Sequence, residues 1–158
     1  MRIQELQKKY SLTKDDFWEV RKGTWVITHD ACEKIADIEG IIFNDPQVYV
    51  NDQLTRIAML GKGKLKEKMV WSTGESNEDN TKGQGKYYFA MAEKRLKDRL
   101  TLKLINAYEY GIYSEVESDS FQRTKTPQNA YYAQKKAKEE ANGKIDAMPS
   151  QATTKFKM

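Results

Sequence analysis

One long helix constrains this chain more than any other feature of its sequence. From about Tyr87 onward, a helical period of about 3.6 residues places apolar side chains on a single face. They are Phe89, Ala92, Leu96, Leu100, Leu104 and Ala107. A face of this length has to be buried, so the helix should pack on a sheet or on other helices.

Short segments rich in β-branched and aromatic residues precede this helix. They cover residues 41–44, 47–50, 55–60 and 66–72, and are interrupted by Asp-Pro, Asn-Asp and Gly-Lys-Gly-Lys. This spacing predicts an antiparallel meander with residues 61–64 at a hairpin tip. Residues 72–86 contain no apolar side chain, which predicts an exposed loop.

The N-terminal third predicts two helices. Ser11 is a candidate N-cap for a short helix that leads into Phe17, Trp18 and Val20. Thr28 and Gly40 would cap a second helix at its two ends. Its apolar side would hold Ala31, Cys32, Ile35, Ala36 and Ile38.

The order of these elements predicts an α+β fold. A three- to four-stranded antiparallel β meander would be covered on one face by the long helix, with helices at the N-terminus. Residues 1–121 should form this domain. Residues 122–158 are poor in large aliphatic side chains, which predicts a mostly disordered or partly helical tail.

Charge is concentrated in the middle of the chain. The formal net charge is +4, and residues 61–103 hold 11 Lys and Arg against 6 Asp and Glu. A concentrated basic stretch is typical of phosphate binding. The sequence has no apolar run long enough to span a bilayer, no secretory leader pattern and a single cysteine, so a cytoplasmic protein is expected.

Catalytic and metal-binding motifs are not recognisable. One His and one Cys, His29 and Cys32, are too few for a zinc site and fit structural roles. Residues 61–64 lack the spacing of a phosphate-binding loop, and no Asp or Glu is followed two residues later by Lys, as in many nucleases. We therefore expect a protein without cofactor or metal that is not an enzyme. An enzyme with dispersed carboxylates is the alternative, and a dependence of activity on Mg²⁺ would indicate it.

Basic and aromatic residues instead predict a binding groove. Arg95, Arg99 and Lys103 recur every fourth residue and form a ridge beside the apolar helix face. Lys62, Lys64, Lys66 and Lys68 alternate, which in one strand would place them on the same side. Lys82 and Lys86, with the stacking candidates Trp71, Tyr87 and Tyr88, would complete a groove for a single strand of nucleic acid.

Several of these features together resemble a known family. They are Thr24-Trp-Val-Ile with a helix ending in Ile-Glu-Gly-Ile, three strands, a Thr-Gly-Glu loop and a long basic helix. The stretch from Ala92-Glu-Lys-Arg95 to Tyr110-Gly111-Ile112, followed by the acidic residues 114–119, adds to the likeness. Between Trp25 and Phe121 the chain resembles the β-β-β-α core of the Rad-fifty-two superfamily, which includes the phage annealing proteins Erf and Sak.

The resemblance implies a DNA-binding protein of homologous recombination and repair that anneals complementary single strands without ATP. Its basic residues would hold the phosphate backbone in an oligomeric ring or filament. The matching positions are Arg95, Arg99 and Lys103 on the helix and Lys62 to Lys68 on the hairpin, with Arg56 as a weaker candidate. Single-stranded DNA and further copies of the chain would be its partners, with an exonuclease or a single-strand-binding protein on the tail. An alternative is a non-enzymatic accessory protein that docks another protein through residues 131–141 of its tail.

Overall fold

The computed structural model describes residues 2–81 and 87–118, and this part of the chain is α+β with mostly antiparallel strands. Its helices are α1 (Ile3–Tyr10), α2 (His29–Glu39) and α3 (Tyr88–Leu104), with 3-10 helices at Lys14–Asp16 and Ala107–Tyr110. Its strands are β1 (Phe17–Arg21), β2 (Thr24–Ile27), β3 (Ile42–Phe43), β4 (Gln47–Val50), β5 (Arg56–Leu65), β6 (Lys68–Asn77) and β7 (Ile112–Ser114). No helix among these residues has the length and hydrophobicity needed to cross a membrane.

The strands form two sheets. In the smaller sheet, β2 lies between β1, to which it is antiparallel, and β7, to which it is parallel. In the larger sheet, β5 is central and pairs along its whole length with β6. The other side of β5 pairs first with β4 and then with the two-residue β3.

The β5–β6 hairpin departs from two sequence predictions. Residues 61–64 lie inside β5, and the turn is Lys66–Glu67, where Lys66 adopts a left-handed φ of 54°. The predicted loop that starts at Ser72 is wrong up to Asn77, because these residues belong to β6. The polar sequence forms a strand because its buried side chains, Ser72 and Ser76, are small and lie on the side that faces α3.

Close packing of α3 on β5 and β6 explains the glycines of these strands. A Cβ at Gly63 would lie 3.1 Å from Leu104 Cδ1, and one at Gly61 would lie 2.9 Å from Leu96 Cδ2. At Gly74 a Cβ would overlap the carbonyl oxygen of Ala92 and lie 2.6 Å from the Leu96 amide nitrogen. At Gly74, only a residue without a side chain allows the helix backbone to approach so closely, and at Gly61 and Gly63 the missing side chain makes room for leucines of α3.

The predicted apolar face of α3 is buried for most of its length. Ala92, Leu96 and Leu100 pack in a core with Ile57 and Met59. Phe89, predicted on the same face, is exposed, and its neighbour Tyr88 fills the core at this end of α3 instead. The opposite side of α3 is also buried, since Leu102 belongs to a second core with α1, α2 and β2.

The N-terminal predictions are half correct. Thr28 caps α2 by accepting a hydrogen bond from the Ala31 amide at 3.1 Å, and Gly40 ends the helix with a φ of 66°. Ile38, however, is exposed. The helix expected after Ser11 is wrong: α1 ends there, and Phe17 begins a strand that packs edge-to-face on Trp25, with ring centroids 5.8 Å apart.

Candidate nucleic-acid interface

The lysines of the β5–β6 hairpin do not share one side, contrary to the sequence prediction. Lys62 and Lys64 alternate with Gly61 and Gly63, which face α3, so both lysines point away from that helix. Lys66 lies in the turn. The turn interrupts the alternation, and the side chain of Lys68 returns to the α3 side.

Lys68 closes the C-terminal end of α3. Its Nζ donates to the carbonyl oxygens of Lys103 at 2.7 Å and Leu104 at 3.0 Å, and also contacts Asn106 Oδ1. The last carbonyls of a helix have no partner within the helix and carry its negative dipole end. Lys68 therefore stabilises the fold at this point.

The basic ridge of α3 (Arg95, Arg99 and Lys103) covers the free edge of β6. These side chains donate in turn to three backbone carbonyl oxygens: Glu75 at 2.6 Å, Thr73 at 2.8 Å and Trp71 at 3.0 Å. Four residues of helix rise about 6 Å and two residues of strand about 6.7 Å, so the two rows stay in register over this length. Carbonyls that would otherwise lie open to another strand are thus occupied.

Within the ridge, the guanidinium groups have further partners. Arg95 is 3% exposed and also donates to the carbonyl oxygen of Asn80 at 2.6 Å, which holds the turn after β6. Arg99 forms a bidentate pair with Glu75, at 2.7 Å and 3.0 Å, and its Nε donates to Glu117 at 3.3 Å. The Glu75 carboxylate raises the pKa of Arg99 above its ordinary value. A role of the ridge in DNA binding stays a prediction, and phosphate would have to compete with these contacts.

The face of the larger sheet opposite α3 is different. We call it the open face; its exposed side chains include Tyr49, Lys62, Lys64, Met69 and Trp71. Trp71 lies directly opposite Lys62 across β5 and β6, and Met69 lies opposite Lys64. Trp71 is 63% exposed and shares this face with the exposed side chains of Tyr49 and Met69.

Lys103 links the ridge to the open face. Its Nζ bonds to the Trp71 carbonyl and lies 5.6 Å from the centroid of the Trp71 ring, in cation–π contact. Lys103 therefore both covers the β6 edge and holds the indole of Trp71 beside it.

The remaining predicted residues lie apart from one another. Arg56 is exposed at the far end of β5, opposite Asn77, and Tyr87 is exposed just before α3. Tyr88 is only 6% exposed and belongs to the core beneath α3, so its ring is not presented for stacking. Lys82 and Lys86 lie outside the described residues.

A buried histidine–aspartate hydrogen bond that the sequence did not predict joins α2 to α3. His29 Nδ1 lies 2.7 Å from Asp98 Oδ1, and His29 Nε2 lies 3.1 Å from Glu33. The hydrogen bond to Asp98 raises the pKa of His29, while burial raises the pKa of Asp98 against the effect of the imidazole. Asp98 Oδ2 has no hydrogen-bond partner among the described residues. In the sequence, Asp98 is simply an acidic residue in a long helix. Its side of α3 is buried because α2 packs there, which the sequence pattern did not indicate.

The His29 pair is not accompanied by an accessible nucleophile. Cys32, one turn along α2, is 1% exposed, and burial raises the pKa of its thiol well above the usual range. A buried, protonated thiol packs as a small apolar side chain. In the described ranges, no group of three or more His, Cys, Asp or Glu is arranged to hold a metal ion.

The chain matches no protein-family model, no curated protein and no solved structure. The likeness to annealing proteins therefore stays a prediction from sequence. Any functional conclusion has to rest on the geometry of the open face.

Proposed function

We propose that this protein binds single-stranded DNA on the open face and anneals complementary strands without ATP. The observation that carries the proposal is the exposed Trp71 directly opposite Lys62. Proteins that bind single strands with little sequence specificity combine aromatic rings, on which bases stack, with nearby cations that contact phosphates.

Each part of the open face has a physical role in this proposal. Bases stack on Trp71 and Tyr49, and such stacking contributes about 1–3 kcal/mol per base. Lys62 and Lys64 contact phosphates and release counterions, which makes binding salt dependent. Acidic residues slightly outnumber basic ones in the described part of the chain, so the attraction is local to this face.

The finer fold assignment belongs to the same proposal. β4, β5 and β6 would be the meander of the β-β-β-α core, and α3 its covering helix. The contacts of Leu96, Leu100 and Leu104 with the strand glycines support this arrangement. In it, α3 occupies one face of the sheet and the strand of DNA lies on the other.

Annealing by this protein also requires an assembly, because one open face offers few contacts. Several linked faces raise the effective concentration of binding sites along one strand. The ridge occupies the edge of β6, whereas β4 pairs with no described strand other than β5, and its Val48 and Val50 are exposed. We place the contact between copies at this edge of β4.

The alternative function, docking of another protein through the tail, falls on residues 122–158, outside the described part. No observation on the described residues favours it over DNA binding.

The test is direct binding of a fluorescent single-stranded oligonucleotide, followed by annealing with its complement. Trp71→Ala should weaken binding about tenfold or more, because a stacking contact is lost. Trp18→Ala is the matched control, since Trp18 is 40% exposed on β1 of the other sheet. Equal binding by the Trp71→Ala variant and wild type, or no binding at low salt, would overturn the proposal.

A further inference from the structure

A groove indents the open face beside Trp71. Its volume is about 560 Å³, and it is lined by Asn44, Asp45, Gln47, Leu60, Gly61, Lys62 and Trp71.

The groove exists because the outer edge of the sheet is interrupted. β3 pairs with β5 at residues 63–64 and β4 pairs with it at residues 57–60, which leaves Gly61 and Lys62 between the two strands. The connection at residues 44–46 crosses this gap, held by a 3.0 Å hydrogen bond from the Asn44 amide to the Lys62 carbonyl.

One wall of the groove is acidic, which is unexpected on a surface for a polyanion. Within the described residues, the Asp45 carboxylate has no hydrogen bond and no ion pair. A carboxylate near phosphates weakens binding by repulsion. It offsets this repulsion where it accepts hydrogen bonds from a base.

From this arrangement we infer that the groove holds one nucleobase and selects guanine. The inference rests on the proposed function of the open face. Trp71 stacks on the base, Lys62 contacts the adjoining phosphate and Asp45 accepts from the Watson–Crick edge. Because this is the edge with which guanine pairs, the base leaves the groove when its complement anneals.

The chemistry of the four bases explains the choice. A carboxylate is an acceptor only. Guanine presents two adjacent donors, N1–H and the N2 amino group, so both carboxylate oxygens are used. Adenine and cytosine place a ring nitrogen acceptor beside their amino group, and thymine flanks its single N–H with carbonyl oxygens. Each of the other three bases therefore brings an acceptor against the Asp45 carboxylate.

Gln47 adds to the preference for guanine. Its Oε1 already accepts from the hydroxyl of Tyr49 at 3.1 Å, and Gln47 lines the groove, so its NH₂ group is the donor it can offer to a base there. This donor complements guanine O6 next to the N1–H bound by Asp45. Gln47 and Asp45 thus offer one donor and two acceptors, the complement of the acceptor, donor and donor on the guanine edge.

Binding of four 12-nucleotide strands tests the inference. Each is oligo(dT), either unchanged or with one central dG, dA or dC. We expect the strand with dG to bind about tenfold tighter than the other three, the size of a good bidentate base contact. Asp45→Asn should abolish this preference while retaining, or slightly strengthening, binding of plain oligo(dT). Asp52→Asn, which removes an exposed carboxylate in the β4–β5 turn, should keep the preference.

The outcomes separate the inference from the proposed function. Equal binding of all four strands, or a preference for another base, would overturn guanine selection and leave DNA binding on the open face intact. Retention of the dG preference in the Asp45→Asn variant would also overturn it. Failure of the wild type to bind any strand would remove both proposals.

Discussion

The basic ridge of α3 and the lysines of the open face carry the same kind of charge at equally regular spacing, yet they have different surroundings. Arg95 is buried among backbone carbonyls of β6 and the following turn, whereas Lys62 stands in solvent beside Trp71. The ridge offsets the unpaired edge of a strand. The open face leaves its cations available to a ligand.

The comparison shows that regular spacing of basic residues does not identify what they bind. A period of four in a helix matches both a phosphate chain and the carbonyls along the edge of an antiparallel strand. Substitutions in the ridge should therefore lower the free energy of unfolding, whereas substitutions on the open face should weaken DNA binding.

The largest effect is expected where α3 sits on β6. Gly74→Ala would force a Cβ against the backbone of Ala92 and Leu96, and backbone atoms cannot move aside locally. We expect a loss of at least about 3 kcal/mol in the free energy of unfolding, measured by urea denaturation.

Gly61→Ala is the matched comparison, because its Cβ would meet only the side-chain end of Leu96. It should cost clearly less than Gly74→Ala. Similar losses for the two variants would contradict the close approach at Gly74.

Arg95→Met should destabilise the protein by about 3 kcal/mol, because it strips buried carbonyls of a charged donor. Lys62→Met should stay within about 0.5 kcal/mol of wild type, as expected for an exposed side chain. Thermal and urea unfolding of both variants measure the difference. If Lys62→Met proved as destabilising as Arg95→Met, the distinction between ridge and open face would fail.

Salt dependence should show the opposite ranking. Removing Lys62 and Lys64 together should reduce the slope of log K against log salt by about 1.4, since each phosphate contact on a single strand contributes about 0.7. The Arg95→Met variant, measured at a temperature at which it is still folded, should leave the slope unchanged. A lower slope in that variant would show that Arg95 contacts phosphate.

The smallest effect concerns pH. The hydrogen bond to Asp98 raises the pKa of His29 in the folded protein above its ordinary value of 6.5. This contribution is complete below pH 6.5 and is lost as the pH rises through the folded value, so the free energy of unfolding should fall over that interval. Urea titrations between about pH 6 and about pH 8.5 measure it.

His29→Gln should flatten this pH dependence. His29 is the only histidine of the sequence and lies between α2 and α3, away from the open face, so DNA binding should stay constant over the same range. A stability that rises with pH in the wild type would contradict the assignment.

Much of the secondary structure was predictable, because it depends on neighbouring residues. The caps Thr28 and Gly40 and the apolar face around Leu96 were recognised correctly. The strand at residues 72–77 was missed, because a polar sequence with a central glycine is typical of a loop. It becomes a strand only because β5 pairs with it and α3 packs on its small residues.

The sequence alone determined the class of the fold, the position of the long helix and the presence of basic and aromatic residues near the β5–β6 hairpin. These follow from periodicity and capping, which act over a few residues. Tertiary structure decided which of those residues meet backbone and which meet solvent. The reason is that a hydrogen bond needs its donor close to the acceptor. The carbonyls at the β6 edge have side-chain donors only when α3 lies beside them, and that placement depends on contacts between residues far apart in the chain.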